Sequence, residues 1–222
     1  MNQRIVFIGL VAALLWPFSS GPAFAVQRAS KNDILLSAAS PFEDLTDYAL
    51  AADRDGMNKA LKAYADQAPG VRKVLPASER AKMDELLAAI KKAESQGDNE
   101  TVALKSVAVY RLLVDALDHN TLVVPVQVAL LDYAGFMVTV LLHNESTKDW
   151  PALANVSAEA IRNWNAIRDR VTDKGLRDAV DTALAGLVTA CTDRNAGMAA
   201  FAAQIDLALV DLLEGYFERP SR

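Results

Sequence analysis

"VVPVQVALLDYAGFMVTVLLH", residues 123–143, is the stretch whose reading decides the fold. As a helix it is long enough to cross a hydrocarbon layer about 30 Å thick. Gln127 and Asp132 lie inside it, however. An aspartate near the middle of a bilayer costs about 3 kcal/mol even on the most lenient insertion scale. The stretches around 101–118 and 196–217 are also strongly apolar, so a protein interior is available to receive it. A helix that is apolar on every side and has apolar neighbours belongs at the centre of a soluble bundle. The segment is therefore expected to be a core helix.

Outward from this helix, apolar residues recur at helical rather than strand spacing. Phe42, Leu45, Tyr48 and Ala49 share one face, and Met57, Leu61 and Tyr64 continue after a break at Asp53–Gly56. Met83, Leu86, Leu87 and Ile90 form another stripe, which Gly97-Asp98 ends. Trp150, Leu153, Val156, Ala160, Trp164, Ile167 and Val171 form a further stripe, as do Leu176, Val180, Ala183, Leu184, Leu187 and Cys191. Ser40-Pro41-Phe42-Glu43 carries a capping serine, a first-turn proline and a glutamate three residues after the cap, which predicts a helix start. The expected fold is all-α, a compact up-down bundle of about seven helices in one domain, 40–218, after a flexible 26–39.

A shift of 96 residues places Asp53 on Asp149, Asn99 on Asn195 and Val114-Asp115 on Val210-Asp211. It also carries Leu45 to Leu141, Val71 to Ile167 and Val109 to Ile205. The matched short polar residues fall between helices, where such side chains cap the helix that follows. An internal duplication, with halves 41–120 and 124–218, is one reading of this pattern. Separately, DGMNKALKAYADQAP resembles half of a tetratricopeptide repeat, but no period of about 34 residues follows it.

The N-terminus, MNQRIVFIGLVAALLWPFSSGPAFA, has one basic residue, an apolar run and Ala23-Phe24-Ala25. That is the pattern of a secretory signal peptide over 1–25, with cleavage after Ala25 and export to a bacterial periplasm without stable membrane insertion. The whole chain carries a net charge of −5, and loss of Arg4 makes the mature chain more negative still. This balance argues against nucleic acid as a partner, which would need a basic surface. Cys191 is the only cysteine, so no internal disulfide supports the fold. On an apolar face, it is expected to be buried and inert.

Several residues invite a chemical reading. Asp115 and His119 stand four apart at the end of an expected helix, a spacing that can direct two metal ligands the same way. The same helix offers Arg111 to Asp115 as an ion-pair partner, and no third ligand. Asp206 shares a face with Ala199, Ala202, Leu209 and Leu213, where a carboxylate is costly unless paired or protonated. Its counterpart under the 96-residue shift is Tyr110, and a tyrosine or a basic group is the expected partner of Asp206. Asp132, Thr139 and His143 share a side of the core helix, with Gly135 leaving space between them. Asp132 and His143 lie about 16 Å apart along the axis and cannot hold one ion together. Glu43, Asp44 and Asp47 read as an acidic first turn that complements the helix dipole.

No HExxH, CxxCH, phosphate loop or nucleophile elbow is present. The sequence therefore implies a non-enzymatic exported bundle that binds a small ligand or metal ion, or serves a system that handles one. Asp206, Asp132, Tyr110 and His143 are the candidate ligand-binding residues, and no cofactor is indicated. The alternative is an adaptor for a cell-envelope protein, using the amphipathic hairpins before residue 96. Interior carboxylates with shifted pKa values would favour the first, and a large exposed apolar patch beside residues 57–75 the second.

Overall fold

The central helix is apolar all round because it faces two cores. In the computed structural model, which describes residues 29–143 and 148–219, this helix is α5 (Val126–His143). Val126, Phe136 and Val140 join a core built from the first four helices. Val128, Leu131, Ala134, Val138 and Leu142 join a second core built from the last three. The first four helices are α1 (Lys31–Leu50), α2 (Arg54–Val74), α3 (Ala77–Gln96) and α4 (Asn99–Asp115). After α5 come α6 (Trp150–Ile167), α7 (Lys174–Thr192) and α8 (Ala196–Glu218). The described residues are all helical or connecting, without a strand. Eight α-helices pack together, one more than the expected count.

Much of the packing order appears twice, except that α6 also packs on α7 while α2 does not pack on α3 in the same way. α1 packs on α2 and α4, and α3 on α4; α5 packs on α6 and α8, and α7 on α8. α4 then packs on α5 and joins the two sets. Across that join, Arg111 of α4 reaches Glu159 of α6 at 2.6 Å and Asp115 at 2.8 Å. Its guanidinium also lies over the Tyr133 ring of α5. Helices α5 and α8 are each long and apolar enough to cross a membrane, but both are packed within this bundle.

Short polar side chains punctuate the helices as capping chemistry requires. Asp53, Asp149 and Asn195 each accept a bond from the backbone N–H three residues on. Asp98, rather than Asn99, caps α4. Three junctions share one geometry: the N–H groups of Asp53, Asp98 and Asn195 reach the carbonyls of Tyr48, Ala93 and Ala190. The preceding residue in each is left-handed: Ala52 (φ 54°), Gly97 (φ 71°) and Arg194 (φ 52°). Such a terminator closes the last turn of one helix while the following residue caps the next.

The expected helix start at Ser40 is corrected. Helix α1 begins at Lys31, with Ser30 and Asp33 forming a reciprocal capping box, and Pro41 lies inside it. Residues 31–39 therefore belong to the bundle and not to a flexible segment. Burial explains the choice: Leu35, Ala38 and Ala39 are packed in the first core, which offsets the N–H missing at Pro41. Glu43, Asp44 and Asp47 accordingly stand in the body of α1 and not in its first turn. The signal-peptide residues lie outside the described part of the chain.

Candidate functional site

A loop pinned to α1 shapes the most distinctive cavity. Asn32, buried near the start of α1, donates to the Asp118 carbonyl and to Thr121 Oγ1, both at 2.9 Å. Its Oδ1 accepts the Asp118 N–H at 2.8 Å. These three bonds fix the connection between α4 and α5, a 3₁₀ turn over His119–Thr121 followed by Leu122–Pro125. Between this connection, α1 and the end of α8 lies a cavity of about 490 Å³. Tyr110 is in its wall, and Leu36 and Val123, both unusually exposed for their size, line it too.

Charge separates this cavity from its neighbours. Asp33, Glu43, Glu214 and Glu218 line it, and among the described residues no lysine, arginine or histidine does. Another cavity, about 660 Å³, is an open groove where Lys31, Lys82 and Arg111 balance Glu79, Glu85 and Asp115. A third, shallow one runs over Tyr133, Glu159 and Arg162. Compared with these two, the cavity between α1 and α8 sets acidic side chains against the apolar Leu36 and residues 122–126. Glu214, although exposed overall, has its pKa raised, first by partial burial and then by the charges of Asp211 and Glu218.

Tyr110 leads from this cavity towards the interior. Its hydroxyl donates to the Ala129 carbonyl at 3.3 Å, and its ring packs tilted against Phe136. Burial raises its pKa well above the usual phenol range, and the charges of Asp132 and Glu43 add to the effect. It is therefore a neutral donor. Beyond it, Asp206 of α8 is 2% exposed, and its Oδ2 has no hydrogen-bond partner. Desolvation, and then the charge of Asp132, raises the Asp206 pKa to about 8, so the carboxyl is protonated at neutral pH. Gly135 makes room for this group. A Cβ there would stand 3.4 Å from Asp206 Oδ2 and 2.7 Å from two carbons of Leu207.

Asp132 acts on both Tyr110 and Asp206, but Asp206 Oδ2 has neither the tyrosine nor the basic partner expected of it. His143 is exposed at the end of α5 and belongs to no such group. The Asp115–His119 pairing is also corrected: α4 stops at Asp115, and His119 opens a separate 3₁₀ turn. The ordinary use of Asp115 is its ion pair with Arg111. Among the described residues no three Asp, Glu, His or Cys side chains converge as a metal site requires. Cys191 is buried, with its thiol pKa raised by desolvation. The large exposed apolar side chains lie on α8 and beside the cavity, not along residues 57–75.

Asn32, Glu214 and Glu218 were not singled out by sequence. The last two follow the apolar stripe of α8 at a four-residue interval, a weak signal that any solvated helix face shares.

Fold and site together define an all-α bundle with an acidic, partly apolar cavity at one seam. No family model matches the chain, and neither a curated protein nor a solved structure matches it.

Proposed function

We propose that this is an exported, non-enzymatic helical bundle that binds a small organic cation in the cavity between α1 and α8. One observation carries the reading: four carboxylates and, among the described residues, no basic side chain line a cavity that also has an apolar wall from Leu36 and residues 122–126 beside the polar Ser30, Asn32 and Thr121. A desolvated cation is stabilised by carboxylates it meets at short range, and its hydrocarbon part by apolar surface removed from water. The neutral ring of Tyr110 adds a face suited to a cation. An amine, guanidine or quaternary ammonium carried on an apolar body fits both walls. A compact metal ion fits less well, because the carboxylates do not converge.

An internal duplication of about 96 residues supports this placement. Helices α2 and α6 begin at Arg54 and Trp150, 96 positions apart. Arg72 of α2 pairs with Asp84 of α3, and Arg168, 96 positions on and just past the end of α6, pairs with Asp181 of α7, 97 positions after Asp84. In such an arrangement the seam between α4 and α5 has a counterpart between α8 and α1. The first is packed shut, and the second holds the cavity. Export through a signal peptide over 1–25 would place the site in the periplasm. The adaptor alternative, using the hairpins before residue 96, has less support because α2 and α3 expose no large apolar side chain.

The test is a calorimetric titration with octylammonium and with octanoate, which share a chain and differ in charge. The expected result is one-to-one binding of the amine that weakens with salt and is lost in a Glu43→Gln/Glu214→Gln variant. Because the Glu214 pKa is raised, affinity should decline as pH drops below neutrality, earlier than an ordinary carboxylate would allow. Equal binding of octanoate, or unchanged amine affinity in the variant, would contradict the reading.

A further inference from the structure

We propose that the outer face of α8 is a homodimer contact, on which a second copy of this chain packs antiparallel. Met198, Phe201, Ile205 and Leu212 are exposed by 38%, 65%, 37% and 58%. With Ala208 and Gly215 they follow a three–four spacing from 198 to 215, which is the seam of a two-stranded coiled coil. The seam is about 27 Å long. Helix α8 is already held by α5 and α7, so this face is presented on a rigid support and not on a frayed end.

The side chains along the seam select the partner and its direction. In an antiparallel pair centred between residues 206 and 207, Met198 faces Gly215, Ile205 faces Ala208 and Phe201 faces Leu212 of the second copy. Two of these layers set a large side chain against a small one, as close packing requires. A parallel pair would stack Phe201 on Phe201 while leaving Ala208 opposite Ala208 and Gly215 opposite Gly215, with voids. The flank also fits the antiparallel choice. Gln204 falls near Asp211 of the second copy, while the two Asp211 side chains lie about 13 Å apart along the axis.

The first half gives the contrast. Under the 96-residue shift Phe201 stands where α4 carries Lys105, and the counterparts of Met198 and Ile205 are Val102 and Val109, both fully buried. A lysine is the ordinary choice for that surface, so a phenylalanine there is costly in water without a cover. An anionic membrane surface is the poorer cover, because Asp211 and Glu218 flank the seam. One seam of this length supplies an interface near the lower end of the specific range, about 1,000 Å² in total. The dimer should therefore be reversible at micromolar concentration.

Sedimentation equilibrium on the full chain, from micromolar to hundred-micromolar concentration, tests the proposal. Two-chain mass is expected, and Phe201→Lys should weaken association by at least about a hundredfold. Circular dichroism of the variant should stay helical with an unchanged melt. If Phe201→Lys fails to fold, Leu212→Lys serves in its place. Mixing an Ile205→Cys chain with an Ala208→Cys chain under mild oxidation should cross-link the two kinds to each other, and neither to itself. A monomer at every concentration, a dimer indifferent to both lysine variants, self-linked Ile205→Cys chains, or a monomer that instead binds anionic vesicles would overturn the proposal.

Discussion

Tyr110 in α4 and Asp206 in α8 are counterparts under the 96-residue shift, and their environments differ. The tyrosine has a carbonyl to donate to at 3.3 Å and forms part of a cavity wall. The aspartate is buried with Oδ2 unpartnered. The two sets differ at a junction too: the one before α4 has Gly97 in the left-handed position, and the one before α8 has Arg194 there. In the second set α8 combines a buried, unpartnered carboxyl oxygen with large apolar side chains exposed on its outer face. Departures of that kind are where function is usually found.

Asp206 gives the largest expected effect. Its pKa is about 8 when folded and near 3.8 when unfolded, so between these values the folded chain holds a proton that the unfolded chain releases. Stability must then fall as pH rises through that window, by on the order of 5 kcal/mol from this group. Urea unfolding at a series of pH values should show this slope in the native protein and lose most of it in Asp206→Asn. A native protein whose stability is flat from mild acid to pH 8 would show that the carboxyl is better solvated than its burial implies.

The Arg168–Asp181 pair should matter more than Arg72–Asp84. Asp181 accepts from Arg168 and also from the indole N–H of Trp164, which is 2% exposed and donates at 2.7 Å. Removing Asp181 leaves a buried donor unpaired, so Asp181→Ala should cost about 1–2 kcal/mol in chemical denaturation. Asp84 and Arg72 are both half exposed, and Asp84→Ala should change stability by less than about 0.5 kcal/mol. Equal costs would remove this difference between the two sets. The smallest effect is at the terminators. Arg194→Gly relieves a left-handed residue and should stabilise by about 0.5–1 kcal/mol, whereas Gly97→Ala should destabilise by a similar amount. Thermal melts of the two variants would show opposite shifts.

Much of the helical framework was legible because α6 and α7 each bury a single stripe, which helical spacing reveals directly. Asp206 was legible for the same reason: a carboxylate among Ala199, Ala202, Leu209 and Leu213 interrupts a pattern. The start of α1 was not, since Ser40-Pro41 carries the same local signal as Ser30 and Asp33. Only packing of Leu35, Ala38 and Ala39 decides between them. The cavity was hidden because its walls come from residues near 32, 43, 110, 123 and 214, each unremarkable alone. Asn32 acts through partners 86 and 89 positions away. The outer face of α8 was also hidden, because a helix apolar on both sides does not announce which side is covered.

The most direct measurement is native mass spectrometry with elemental analysis on the chain purified without chelators from the cells that make it. An organic cation retained at one per chain, displaced by octylammonium and absent from Glu43→Gln/Glu214→Gln, is the expected result. A stoichiometric metal or a retained anion, or a bare chain that also takes up no octylammonium, would contradict a cation site between α1 and α8.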